Sequence, residues 1–147
     1  MRVAGQFRFD APPEIMYRLF SNKDALLNAT IGLQSLEEVE PDRWNATLKV
    51  GIGGFAVVYH GILEVTDRVP NESFHLHIAA ETHNGSAEAE ADLRFLPDGD
   101  GTLVTYEADI EFLGAQKLLP SLAKGLVDYF MHGMREYLEK ARARALL

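Results

Sequence analysis

An α+β domain in which a curved antiparallel sheet grips one long helix is the fold class this sequence predicts. Three observations carry the prediction. From Leu33 to Phe112 the chain alternates apolar and polar residues between tight turns, the mark of a meander with one wet and one covered face. A single long amphipathic stretch, Lys117 to Arg144, follows and is the one large cover available for that face. Ahead of the meander stand one strand and two short helices. The 147 residues suit one domain with one core, so residues 1–147 are read as a single unit.

Taken in order, Gln6 to Asp10 alternates and reads as the first strand. Asp10-Ala11-Pro12-Pro13-Glu14 stops it and opens a helix, because proline suits a first turn and Glu14 its positive end. Ile15, Leu19 and Phe20 supply the buried side, with Met16 beside them. Ser21 or Asn22 then caps a second short helix through Ala25, Leu26 and Leu27. Six more strands follow. Leu33–Glu40 ends at Pro41-Asp42. Trp44, Ala46, Leu48 and Val50 form one face of the next, which closes at the turn Gly51-Ile52-Gly53-Gly54. Phe55, Val57, Tyr59, Gly61, Leu63 and Val65 then face one way, and Val69 to Glu72 turns the chain into Phe74, Leu76, Ile78 and Ala80. The Asn84-Gly85 pair that hairpins prefer leads to Ala87, Ala89, Ala91, Leu93 and Phe95. After the turn 97–101 come Val104, Tyr106, Ala108, Ile110 and Phe112.

The long helix shows apolar residues at Leu119, Leu122, Leu126, Phe130 and Tyr137, widened by Leu118 and Tyr129. Gly125 and Gly133 sit on or beside this stripe. Glycine costs about 1 kcal/mol against alanine inside a helix, so two on a buried side mean either close approach or a hollow.

Composition excludes several functions. With no cysteine, disulfides and thiol chemistry are absent. A net charge of −8 argues against nucleic acid, whose phosphates call for Lys and Arg. No segment reaches the roughly 18 apolar residues of a membrane span, and the first residues form no signal peptide. The expectation is a cytoplasmic protein, at most peripheral at the inner membrane face. Lys140, Arg142 and Arg144 are read as complements to the helix C-terminal dipole.

Candidate chemistry is sparse. His75 and His77 share the outer face of one strand, with His60 outward and near His77; three or four converging ligands are lacking, so no metal is expected. No serine sits in a nucleophile elbow. The glycine turn at 51–54 joins strands rather than opening a helix, which makes it a hairpin and not a phosphate loop. Glu88, Glu90, Asp92, Glu107, Asp109 and Glu111 lie on the wet face, where no cleft perturbs their pKa values. No catalytic residue and no cofactor is assigned.

The inner face remains. Ala87, Ala89 and Ala91 are small, and opposite them the helix carries two glycines. Tyr59 and Tyr106 point inward with hydroxyls that need partners when buried, and Trp44, Phe55, Leu76 and Ile78 offer an apolar lining. From pattern alone, tight packing and a small-molecule cavity both stay open.

Gly5-Gln6-Phe7, Ala11-Pro12-Pro13-Glu14, Lys49-Val50-Gly51, Tyr59-His60-Gly61, Asn84-Gly85-Ser86-Ala87, Gly101-Thr102 with Tyr106, Gly114 and Tyr129-Phe130 run in order along nearly the whole chain. In these pieces the sequence resembles the START/Bet v 1-like (SRPBCC) superfamily and, within it, the CoxG-like family of carbon monoxide dehydrogenase subunits. Where that family has an Ile-Pro-Gly-like segment, this chain reads Asn28-Ala29-Thr30-Ile31-Gly32. The resemblance implies a helix-grip fold with a hydrophobic cavity under the C-terminal helix. It also implies a lipid- or quinone-like ligand and an accessory role beside a molybdenum-containing dehydrogenase complex. The expected lining is Trp44, Leu48, Phe55, Tyr59, Leu76, Ile78, Ala89, Ala91, Tyr106, Leu122, Leu126 and Phe130, with Tyr59 and Tyr106 orienting a polar ligand group. On this reading the chain is a binding module without chemistry of its own. The alternatives are a polyketide cyclase/dehydratase-like enzyme using the same cavity, or an interaction module docking through its acidic sheet face.

Overall fold

The computed structural model describes residues 1–52, 54–114 and 120–145, with the side chains at 52, 55 and 120–122 outside that description. The elements are β1 (Arg2–Phe9), α1 (Pro13–Leu19), α2 (Lys23–Ala29), β2 (Leu33–Glu40), β3 (Arg43–Ile52) and β4 (Phe55–Val69), then β5 (Ser73–Thr82), β6 (Gly85–Asp98), β7 (Gly101–Gly114) and α3 (Pro120–Ala143). All seven strands form one antiparallel sheet in the order β1-β7-β6-β5-β4-β3-β2. This is the helix-grip architecture that the sequence predicts. The sheet closes from the first strand onto the last, because β1 pairs along its whole length with β7.

Local expectations hold with instructive differences. β1 begins at Arg2, four residues before the predicted Gln6; Val3 is buried, and Gly5 conceals its place in the inward series. Asn22, not Ser21, caps α2, its Oδ1 accepting from the Ala25 N–H at 3.0 Å. Met16, read as a bystander, is the fully buried residue of α1, whereas Ile15 is half-buried. The hairpin loop after β5 is His83–Asn84, and Gly85 already belongs to β6. Gly32 at φ +80° supplies the left-handed residue that lets the chain leave α2, and its carbonyl accepts from the Lys49 N–H at 2.8 Å.

The space between sheet and α3 is filled at one end. Phe9, Phe20, Phe74 and Phe95 meet there with Tyr17 in tilted and edge-to-face pairs, Phe20–Phe95 at 5.3 Å and Tyr17–Phe95 at 5.5 Å between centroids. Met131, Met134 and Leu138 of α3 close over this cluster. Arg68 pins the same end. Its guanidinium donates to both carboxylate oxygens of Asp42 at 2.9 Å, to Tyr17 Oη at 3.2 Å and to Ser21 Oγ at 3.3 Å, while lying over the Tyr17 and Phe74 rings. Thr102, fully buried, donates to the Ala11 carbonyl at 2.6 Å and holds the start of α1 against β7.

The stripe on α3 differs from the predicted one. Its buried line is Ala123, Met131, Met134, Leu138 and Ala141, with Leu126, Val127, Phe130 and Tyr137 half-buried; Tyr129 is 54% exposed. Leu118 and Leu119 lie outside the described residues. The line is rotated because α3 packs on α2 as well as on the sheet. The basic end of α3 also does more than answer a dipole: Arg142 donates to the Asp10 carbonyl, and Arg135 donates to the Arg8 carbonyl at 2.9 Å beneath the Phe7 ring.

The two helix glycines have opposite reasons, and neither faces a hollow. A Cβ on Gly133 would stand 2.8 Å from Ala29 Cα, so this glycine allows α3 to touch α2. Gly125 is exposed, and among the described residues a Cβ there meets nothing within 4 Å. Gly125→Ala is therefore expected to raise stability by about 1 kcal/mol, and Gly133→Ala to lower it by about 1–2 kcal/mol through overpacking. Urea unfolding of the two variants checks this; equal signs for both would contradict the packing described.

Candidate ligand cavity

The other end of the sheet–helix space is hollow. A cavity of about 370 Å³ lies between the N-terminal half of α3, the end of α2 and the inner face of β2–β7. Strand register explains it. One row runs straight across six strands: Leu36, Ala46, Gly61, Ala80, Ala87 and Phe112 are successive cross-strand partners. All six border the cavity. Its four middle members carry at most a methyl group, so the sheet leaves unfilled the volume that larger side chains would occupy. A Cβ on Gly61 would already approach that of Ala80 to 3.1 Å. On one side of this row stand Leu33, Leu48 and Tyr59, and on the other Leu63 and Ile78, with Leu76 beyond. Leu26 and Thr30 of α2 and Leu126 and Phe130 of α3 form the cover. Phe130 also stacks edge-on against Phe20 at 5.7 Å, and so divides the hollow end from the packed end.

Six of the twelve predicted lining residues meet here: Leu48, Tyr59, Leu76, Ile78, Leu126 and Phe130. The side chains of Phe55 and Leu122 lie outside the described residues. Four do not border the cavity. Trp44 lies one row further on, opposite Leu63. Ala89 pairs with Ile78 and Ile110, and Ala91, opposite Leu76, packs against the filled core. Tyr106 is buried in that core, its ring laid over Gly5, where a Cβ would come within 2.8 Å of the hydroxyl. Its Oη has no hydrogen-bond partner among the described residues. Burial, with a smaller contribution from the Asp128 charge, pushes its pKa up. Ala46, Gly61 and Ala80 also border it and are absent from the predicted lining, because sequence shows smallness only along one strand, whereas the hollow is built across strands.

The cavity chemistry is simple. Among the described lining residues none is charged, and Thr30 and Tyr59 carry the only polar side chains. Burial also raises the Tyr59 pKa, which keeps the phenol neutral and able to donate. Such walls solvate an apolar molecule and penalise an ion. A larger hollow of about 810 Å³ lies on the outer face, bordered by Glu37, His60, Glu81, Glu88 and Glu111. These charged walls hold water well, so the smaller inner cavity is the better candidate site.

The outer face is strongly acidic in register. Glu88, Glu90 and Asp92 stand directly opposite Glu111, Asp109 and Glu107. Arg2 bridges Glu107 at 2.9 Å and Asp109 at 3.1 Å. His75 bonds Asp92 through Nδ1 at 2.8 Å, while His77 stands between Glu64 and Glu90. His60 is not beside His77, as expected from the sequence, but opposite Thr47 and Glu81. No group of three or more metal-capable side chains converges among the described residues.

His75 makes a pH prediction. Its hydrogen bond to Asp92, outweighing partial desolvation and aided by the charges of Asp92, Glu90 and Asp67, raises its pKa above the ordinary value. The resulting stabilisation is fully present below about pH 6.5, the unfolded value, and disappears as pH rises through the folded value. Urea unfolding from pH 5.5 to 8.5 should show stability falling across that window. Asp92→Asn should flatten the fall; an unchanged profile would remove His75 as its source.

No described helix is long and apolar enough to cross a membrane. The profile of the carbon monoxide dehydrogenase CoxG family matches residues 5–139. No curated protein matches the chain. Among solved structures, a conserved protein from Geobacillus kaustophilus is 25% identical, with 96% of this chain and 97% of that one covered at a TM-score of 0.88. A START superfamily protein from Mycobacterium smegmatis is 15% identical, with coverage of 95% and 97% and a TM-score of 0.70. The Zhui aromatase/cyclase from Streptomyces sp. R1128 is 12% identical, with coverage of 96% and 94% and a TM-score of 0.66. The last two are likenesses of fold.

Proposed function

This chain belongs to the CoxG family of carbon monoxide dehydrogenase subunits, and from that membership and the cavity we propose that its domain binds a hydrophobic small molecule of lipid- or quinone-like character and carries it without transforming it. The observation that supports the reading is the uncharged, apolar cavity of about 370 Å³ under the N-terminal half of α3, a volume within the usual range for small-molecule sites. Transformation would call for an acid, base or nucleophile in the cavity wall. The described wall offers only the hydroxyls of Thr30 and Tyr59, so the cyclase reading gains no support from it.

The test is native mass spectrometry of the purified protein mixed with a lipid and quinone extract. A stoichiometric adduct is expected. Failure to find either an adduct or uptake of an apolar fluorescent probe would overturn the reading. An accessory role beside a carbon monoxide dehydrogenase-type complex forms the second part of the proposal, and it rests on the family alone. The opposed carboxylates of β6 and β7 are the surface proposed to dock. Reversing Glu88, Glu90 and Glu107 to lysine should abolish co-purification with such an enzyme while leaving the apolar cavity able to bind.

A further inference from the structure

The seven-stranded sheet has two edges, β1 and β2, and they are built differently. Edge strands that stay unpaired are commonly charged, bulged or broken by proline. β2 carries all three devices. Glu37, Glu38 and Glu40 are exposed along it, its register against β3 shifts twice, and Pro41 follows its last residue. A second copy laid against β2 would set carboxylate against carboxylate. β1 is a regular edge. Its register with β7 is unbroken from Arg2 to Phe9, and its cations Arg2 and Arg8 are bonded to carboxylates of their own chain.

Strand parity shows which main-chain groups of β1 point outward. Met1 and Ile110 exchange both main-chain bonds, at 2.6 and 2.8 Å. The odd residues of β1 therefore face β7, and the even ones face away from the sheet. Those even residues, Arg2, Ala4, Gln6 and Arg8, are exposed. At the far end α3 stops the run: the Arg8 carbonyl accepts from Arg135 at 2.9 Å, and the Asp10 carbonyl accepts from Arg142. Arg2, Ala4 and Gln6 lie before that stop.

Three alternate residues define one symmetric register. With Ala4 opposite Ala4, Arg2 stands opposite Gln6 of the second copy, and each pair can exchange both its N–H···O bonds. Moving the axis to Gly5 would set Arg2 against Arg8 and would need the carbonyl that Arg135 holds. Charge favours the Ala4 axis too. α3 runs alongside β1 in the same direction: His132 and Arg135 pack on Phe7, and the Asp128 charge acts on Tyr106, whose hydroxyl covers Gly5. Lys124 lies one turn earlier on the same flank of the helix. A two-fold axis at Ala4 reverses the second helix, and so brings Lys124 of each copy towards Asp128 of the other.

We infer that the chain pairs with a second copy of itself through β1, Ala4 on Ala4, joining the two sheets into one. Sedimentation equilibrium of the full chain tests this, with oxidative cross-linking to read the register. A concentration-dependent dimer is expected. Ala4→Pro should raise its dissociation constant at least about tenfold. The same variant should keep its circular dichroism, because the lost N–H takes no part in the β1–β7 ladder and proline suits an edge strand. The chain has no cysteine of its own, so Ala4→Cys should give a disulfide-linked dimer. Gln6→Cys, also exposed, should not, since its counterpart stands about 13 Å away along the strand. Asp128→Lys should weaken the dimer at low salt, and adding Lys124→Asp should restore it. A monomer at every concentration up to the millimolar range, a dimer indifferent to Ala4→Pro, equal cross-linking at Gln6, or no restoration by the charge exchange would each overturn the inference. None of these outcomes bears on ligand binding in the cavity.

Discussion

Ala80→Leu is expected to lower apolar-probe affinity at least about tenfold, a loss of about 1.4 kcal/mol of binding, while the protein stays folded. Ala80 is the middle of the transverse row, opposite Gly61 on one side and Ala87 on the other. A leucine there extends three further carbons into the hollow and touches little that must move. Cavity filling of this kind commonly leaves stability unchanged or raises it by about 1 kcal/mol. Fluorescence titration with N-phenyl-1-naphthylamine, beside a thermal melt, separates the two effects. Full probe uptake in a folded Ala80→Leu protein would place the binding site elsewhere.

Phe95→Ala should behave in the opposite way. Phe95 is almost wholly buried and meets Tyr17, Phe20 and Phe74 at ring distances of 5.3–5.6 Å. Removing it leaves a hole in a filled region, for which about 3–5 kcal/mol of lost stability is expected. That is a large part of the 5–15 kcal/mol typical of a domain. Urea unfolding at neutral pH measures it. A loss below about 1 kcal/mol would mean the aromatic end is not packed as described. The contrast between the two variants tests the division of the sheet–helix space into a filled end and a hollow end, with Phe130 between them.

Alternation in β6 and β7, the prolines before α1 and the length of the amphipathic stretch were sufficient to predict the element order. Periodicity is a local property, and a chain that alternates for ten residues has few other ways to bury one face. The lining was only half legible. Leu48, Tyr59, Leu76 and Ile78 could be read because inward parity is visible along each strand. Ala46, Gly61 and Ala80 could not, since nothing along the chain shows that these three residues from different strands stand side by side. The helix glycines show the same limit. Their cost was legible, but whether the missing Cβ makes room for α2, as at Gly133, or faces open space, as at Gly125, depends on what stands opposite.

The sequence by itself thus determined the fold class, the inward and outward faces of the strands, the acidic outer surface and the family. Only the tertiary structure decided where the interior is full and where it is empty. Strand register set Ala46, Gly61, Ala80 and Ala87 in one line, and the packing of α3 on α2 turned Phe130 to the boundary of the hollow. The physical reason is that a cavity is a deficit of volume summed over residues distant in sequence, and that sum exists only once strand register and helix packing have brought those residues together.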